Sequence, residues 1–475
     1  MKVCVYAFSN TALLFAELIR ESRRMGDGVE WSAILPRWHH RATLGALLAP
    51  EKIQYLYEKF DERFHRNGDS GFAFSPDADN ELLCLLKDKG GYLRLESEDQ
   101  LRRAATVTCI YREFLLRERP DYLLFPDVEV VDGFLLLSLC KTLGITPIYY
   151  IGMRFLGGGF FSSDCYESLP EYYGTYSDHQ LAKAKDFLNG FLAGHVKAID
   201  PLPECILPPS KRKPFWKRVP KALAQHFRFE RMYVGEDGWA IRLKANLGAV
   251  LQSYRQWFFK FFQLRWFDLK CDSQPLPEKF VLYGLQYTPE SSINGLEPYY
   301  VDQMRAIDLL LAGMPSGYRL VVKEHPAIVG VRETGFYRRL RRRPGVILAA
   351  PRVNTRRLME RADIIASVTG TIGLESYLLG KPCLLFGRNF FSHLCELGEG
   401  PSSIKRVMTK LATDFKAPSV EDRAIELAKL INVRYPIELA DPQAVPVVLS
   451  DQNISAFLSA MHAHIARLSA HHSSI

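Results

Sequence analysis

Among the nine cysteines of this chain there is no C-x-x-C pair, and the nine are scattered and odd in number. That excludes a structural zinc site and a disulfide scaffold and points to reduced thiols. No uncharged apolar stretch reaches about 18 residues, so no transmembrane helix is expected. The opening, MKVCVYAFSN, has one lysine before a short apolar run, which reads as a first strand and not as a secretory signal. There is no G-K-[ST] phosphate loop and no G-x-G-x-x-G fingerprint. No D-x-D pair stands at a convincing strand end, so neither a metal nor another cofactor is expected to be obligatory. Together these absences describe a cytoplasmic protein. A net charge of +8 over 475 residues is too diffuse to argue for nucleic acid; it fits anionic substrates or an anionic membrane surface.

What is present is a chain too long for one core, with the 47% apolar and 24% charged content of an ordinary globular protein, so two domains are the default. The first half alternates. Residues 3–8 read as a buried strand, 12–20 as a helix and 31–35 as a second strand, the opening of a Rossmann-like unit. Helices are expected over 50–64, 100–118 and 133–143, the last with Gly144 as C-cap, and strands over 121–125 and 148–151. Residues 67–80 read as a surface loop.

The texture changes over 202–270, where prolines give way to basic and aromatic residues. The run YRQWFFKFFQLRWFDLK makes an amphipathic helix carrying Trp257, Phe258, Phe261, Phe262 and Trp266. Such a stripe either lies in a membrane interface or packs as core, and core is the commoner use. The cluster from Lys211 to Lys217 suits lipid or glycolipid better than nucleic acid.

A second alternating unit follows Pro277: strands at 280–285, 318–323, 346–349, 364–367 and 383–386, with helices at 297–312, 335–342, 355–361 (Asn354 as N-cap) and 371–379 between them. Five strands and four crossover helices give a parallel sheet. The expected fold class is therefore α/β, in domains 1–200 (Rossmann-like), 201–274 (helical basic/aromatic linker or insertion), 275–418 (Rossmann-like) and 419–475 (helical tail).

Two phrases stand at carboxyl ends of strands in the second unit, where open α/β sheets bind ligands: Lys323-Glu324-His325-Pro326, and the turn from Ser367 through Thr369, Gly370 and Thr371 into a helix. Pro326 restricts the backbone so that His325 can be aimed at a phosphate or nucleotide ring; alternatively His325 is a satisfied core histidine. Glycine lets backbone approach a ligand, and hydroxyls and helix-start N–H groups hold phosphate oxygens. Glu375, one turn in, could accept from ribose hydroxyls or simply complement the helix dipole. Gln286 and Glu290 follow the first strand of this unit, either facing a ligand or decorating an ordinary loop. In the first half Asp127, Glu129 and Asp132 follow a strand; one of them could serve as base or nucleophile, or all could be helix-start carboxylates. Arg154 and the run Gly157-Gly158-Gly159 form a further candidate loop, and the run from Arg338 to Arg343 reads as a solvated helix face.

The phrases FVLYGLQYTPE, YRLVVKEHP and ADIIASVTGTIGLESYLLGKPCLLFG, spanning 280–387, resemble the capsule polysaccharide biosynthesis family, which includes transferases of CMP-activated Kdo, an acidic eight-carbon sugar. The first half is similar only through VEVVDGFLLLSLCKTLGITPI. The resemblance implies a GT-B-like fold, two Rossmann-like domains facing a central cleft. It implies that His325 contacts the nucleotide and that Ser367, Thr369, Gly370 and Thr371 hold the donor phosphate. Bacterial sialyltransferases of similar fold carry an acidic-acidic-Gly motif, matched here by Val131-Asp132-Gly133 with a single acid. The function expected is transfer of an acidic sugar such as Kdo from a CMP donor to a glycan or glycolipid of the bacterial surface. Asp132, Glu129 and His325 are then catalytic, Gln286, Glu290, Lys323, Pro326 and Glu375 complete the donor site, and residues 211–270 are a peripheral contact with the inner membrane face. The rival readings are a UDP-sugar transferase, a non-hydrolysing UDP-sugar 2-epimerase, and a non-catalytic assembly or export subunit.

Overall fold

A computed structural model describes residues 1–8, 10–36, 41–56, 97–126, 131–153, 155–197, 264–287, 293, 295–325, 328, 332–333, 335–443 and 445–472. The chain divides into two compact units, one of residues 1–201, 289–299 and 421–475, the other of residues 202–288 and 300–420.

The first unit holds strands β1 (Lys2–Tyr6), β2 (Glu30–Leu35), β3 (Ile53–Tyr55), β4 (Tyr122–Phe125), β5 (Thr146–Gly152) and β6 (Gly159–Ser162) in the order β3-β2-β1-β4-β5-β6. All pairings are parallel except β5 with β6. Helices α1 (Thr11–Met25), α2 (Arg41–Gly45), α3 (Ser97–Glu118), α4 (Val131–Leu143) and α5 (Asp178–Leu192) accompany it. Gly26 ends α1 and Gly144 follows α4, both at positive φ, where a side chain would strain the backbone.

The long helix expected over 50–64 is overturned in its described part: a single 3-10 turn, Pro50–Lys52, leads into edge strand β3. Ile53 pairs with Ala33, and that sheet pairing overrides a helical pattern of apolar residues. Strand β6 and helix α5 were not anticipated. Strand β6 turns back on β5 through Gly157 and Gly158, both at positive φ.

The second unit repeats the plan. Strands β7 (Phe280–Gly284), β8 (Arg319–Lys323), β9 (Val346–Ala349), β10 (Ile364–Ser367), β11 (Cys383–Leu385) and β12 (Glu396–Leu397) pair in the order β12-β11-β10-β7-β8-β9, all parallel. Helices α6 (Met304–Gly313), α7 (Phe336–Arg341), α8 (Thr355–Arg361), α9 (Ile372–Leu378) and α10 (Pro401–Thr413) link or flank them. Asn354 caps α8, its side chain accepting from the Arg357 N–H. Two residues at β12 make the sheet six-stranded, one more than the alternation suggested. Both sheets follow the doubly wound order, with the strand sequence reversing between β1 and β4 and between β7 and β10. The fold is α/β, two Rossmann-like units in one chain.

Helices α11 (Val420–Val433) and α12 (Asp451–His472) complete the chain, and residues 421–475 fall within the first unit. Ile454, Phe457, Leu458, Met461 and Ile465 form one apolar stripe on α12, buried in the same core as Leu14, Phe15 and Leu18 of α1. Each such side chain contributes about 1.5–3 kcal/mol on burial, so this stripe needs a partner, and α1 supplies it.

Candidate functional site

Strands β10, β7 and β8 are neighbours, with Ala366 beside Tyr283 and Gly284 beside Lys323. Their carboxyl ends therefore deliver the turn 367–371, the segment 285–287 and the segment 323–325 to one edge of the sheet, across the point where strand order reverses.

Gln286 spans that reversal. Its Nε2 donates to Thr369 Oγ1 at 3.0 Å, and its Oε1 accepts from the Thr369 N–H at 3.4 Å. Its own backbone is held by Gln303, which accepts from the Gln286 N–H (2.8 Å) and donates to the Gln286 carbonyl (3.0 Å). From the other side Asn389 Nδ2 donates to the Thr369 carbonyl at 3.0 Å. Ser367 Oγ accepts the Gly370 N–H at 3.2 Å. A Cβ on Gly370 would stand 2.6 Å from Ser367 Oγ, so only glycine lets the turn close this tightly.

These contacts divide the turn. Ser367 and Thr369 are buried and brace it from within, while Gly370, Thr371 and the first residue of α9 are part-exposed and can meet a ligand. Glu375 is half-buried on α9; burial pushes its carboxyl up to about 7, with Arg356 acting the other way.

At the end of β8, Lys323 is buried. Its ammonium donates to the carbonyls of Glu324 (3.0 Å) and Pro351 (2.9 Å), and burial lowers its pKa to about 8 against the opposing charges of Glu324 and Asp272. Lys323 thus ties β8 to the β9 loop. His325 is half-buried, and its ring meets the Tyr287 ring edge-on at 6.1 Å. Its backbone N–H donates to Glu324 Oε1 at 2.6 Å.

Sequence reasoning missed Glu324, Gln303, Arg332 and Asn389. A carboxylate directly after the buried strand β8 was the available signal, since a buried charge demands a partner. No comparable signal marked Gln303 or Asn389.

In the first unit Asp132 is half-buried in the first turn of α4. Asp127, Glu129, Arg154, Glu290 and Pro326 lie outside the described residues, as do the Lys211–Lys217 cluster and residues 254–263 of the aromatic helix. Of that stripe, Trp266 sits in a described 3-10 turn, Leu264–Trp266. The glycine run is structural. A side chain on Gly158 would collide with the Tyr435 carbonyl, the Gly159 N–H donates to the same carbonyl at 3.0 Å, and Arg434 caps the carbonyls of Leu156 and Gly157, both at 2.7 Å. The arginine run is partly paired: Arg339 with Glu333, Arg341 with Asp268 and Arg343 with Asp308. Among the described residues no three His, Cys, Asp or Glu side chains converge to hold a metal ion, and no helix is long and apolar enough to cross a membrane.

A family model described as capsule polysaccharide biosynthesis protein matches residues 246–396, the span that contains β7 to β11. No curated protein matches the chain in sequence. Among solved structures it is similar to KpsC of Thermosulfurimonas dismutans, a beta Kdo 2,4 transferase, at 13% identity over 62% of this chain and 74% of that one, TM-score 0.33. It is similar to the UDP-GlcNAc 2-epimerase of Methanocaldococcus jannaschii at 11% identity over 91% and 99%, TM-score 0.27. The lipopolysaccharide outer core galactosyltransferase WaaB is similar at 11% identity over 98% and 99%, TM-score 0.26.

Proposed function

Since residues 246–396 match the model of the capsule polysaccharide biosynthesis family, we propose that the chain is a glycosyltransferase of bacterial surface-polysaccharide assembly. Its donor is a nucleotide sugar, in the sharper form of the proposal a CMP-linked acidic sugar such as Kdo, and its acceptor a glycan or glycolipid. The observation that carries this reading is that His325 and the Gln286-braced turn 369–371 leave the carboxyl ends of β8 and β10, on either side of β7, along the same edge of the second sheet.

In the proposed reaction the anomeric carbon–oxygen bond to CMP breaks, and the electron pair leaves with the phosphate. His325 donates toward that developing charge, and the part-exposed backbone at Gly370 and Thr371 offers it fixed dipoles. Preorganised donors stabilise a departing anion without paying reorganisation at the moment of reaction. Gln286, Ser367 and Thr369 keep those donors in place. Glu375 reaches toward the ribose. A carboxylate of the first unit, Glu129 or Asp132, takes the proton of the attacking hydroxyl or forms the first bond to the sugar. No metal or cofactor is assigned a role, and residues 211–270 are proposed to rest on the inner face of the membrane.

Calorimetric titration with CMP and UDP tests the donor. Binding of CMP that is at least tenfold tighter than UDP is expected, and His325→Ala should lower turnover by two orders of magnitude or more with an unchanged circular dichroism spectrum. Preference for UDP would move the reading to a UDP-sugar transferase or epimerase. No binding of either nucleotide would leave a non-catalytic assembly subunit.

A further inference from the structure

A buried ion pair lies between the carboxyl ends of β7 and β8, and the chemistry above does not use it. The Glu324 side chain is 0% exposed and that of Arg332 is 5% exposed. Arg332 Nε donates to Glu324 Oε2 at 2.6 Å and Nη2 to Oε1 at 2.8 Å, a two-pronged pairing. Burial opposes the guanidinium charge, but the Glu324 carboxylate outweighs it and the Arg332 pKa is raised. Tyr337 donates to the same carboxylate at 2.6 Å, and the guanidinium lies 4.9 Å from the centre of the Phe336 ring.

The two partners then reach in opposite directions. Glu324 Oε1 takes the His325 N–H, while Arg332 Nη2 also donates to the Gln286 carbonyl at 3.0 Å. Because Gln286 holds Thr369, an unbroken series of hydrogen bonds runs Thr369, Gln286, Arg332, Glu324, His325. It links the loops after β10, β7 and β8.

Stability alone is a poor reason for such a pair. Desolvating two charges costs several kcal/mol per ion, and apolar residues of similar volume often serve as well or better. Apolar packing cannot supply a planar fork that sets the angle between three loops.

We propose that Arg332 is a positioning residue that holds His325 and the 369–371 turn in one mutual geometry, so that nucleotide captured by one is presented to the other. The proposal rests on the nucleotide reading of these loops. Arg332 touches no ligand in it and acts through Glu324 and Gln286. Lysine cannot replace it, because one ammonium cannot make two parallel bonds to a carboxylate and a third, in plane, to a carbonyl.

Two measurements on the full chain test this. Calorimetry with CMP should show at least tenfold weaker binding for Arg332→Lys, with Arg343→Lys, which alters an exposed pair, within threefold of wild type. The double variant Glu324→Leu/Arg332→Met replaces the ion pair by apolar side chains. It should keep or exceed the wild-type melting temperature and still lose at least tenfold in CMP affinity. Binding that simply tracks melting temperature across these variants would overturn the proposal. Hydrogen exchange on the ligand-free protein is the second measurement. Arg332→Lys should speed exchange in peptides covering 283–287 and 366–373, and a rise confined to 324–337 would equally overturn it. If the wild type binds no CMP, the nucleotide reading fails, while the exchange result still decides whether Arg332 couples the loops.

Discussion

Gln286 Nε2 and Thr369 Oγ1, 83 residues apart in sequence, stand 3.0 Å apart at the one place in the second sheet where strand order reverses. The hydrogen bond crosses the switch point, the place where such sheets take their ligands. It makes the turn 369–371 a braced feature and not a loose loop.

Replacing Gln286 by leucine removes two partners from Thr369 while conserving volume. A net loss of about 1–2 kcal/mol in stability is expected, together with CMP binding weakened at least fivefold. Denaturant unfolding and calorimetry on the same variant separate the two effects.

Gly370→Ala puts a methyl group 2.6 Å from the buried Ser367 Oγ. The turn must open to accept it, at a cost of about 1–3 kcal/mol. Nucleotide binding should suffer more than stability, because Gly370 is where the backbone approaches a ligand. Adding Ser367→Ala should restore part of the loss, and thermal melts with and without CMP would show it.

Glu375 gives a pH test. Its folded pKa, raised to about 7 from 4.5, favours the protonated form in the native state. The stability it contributes is full below 4.5 and is lost as pH rises through 7. Glu375→Gln keeps the neutral shape at every pH. It should raise the melting temperature at pH 8 by an amount corresponding to about 1–2 kcal/mol, after allowance for the part-exposed side chain. At pH 4.5 it should change little.

His464 tests the opposite sign. It is 1% exposed, stacks on Phe161 at 5.2 Å, and neither ring nitrogen has a hydrogen-bond partner among the described residues. Burial, with Arg467 adding to it, lowers its pKa to about 4 from 6.5. Its contribution is intact above 6.5 and is lost as pH falls toward 4, by about 3 kcal/mol in all. His464→Phe should flatten that part of the stability profile and raise stability at neutral pH as well, measured by urea unfolding from pH 7 to 4.

The second unit was legible because its strands are buried on both faces and so read as continuous apolar runs. Strands β9 and β10 and helix α8 fall at their expected residues, and the His325 and Thr369 loops follow from where β8 and β10 end. Strand β3 was not legible: residues 53–55 are a strand only because β2 offers an edge to pair with. Nor was the partner of α12, whose apolar stripe announces a buried face without saying what covers it.

By itself, then, the order of residues determined the alternation of strands and helices and the class of fold, since apolar periodicity and turn chemistry act over a few residues. It also marked which loops stand at strand ends. Which groups inside those loops face a ligand, and which serve the scaffold, was decided only by the folded molecule. Ser367, Thr369 and Lys323 turn inward, and Arg332 pairs with Glu324 beneath His325. Desolvation makes each of those choices: a buried polar group must find its partner wherever the chain brings one, however far away in sequence.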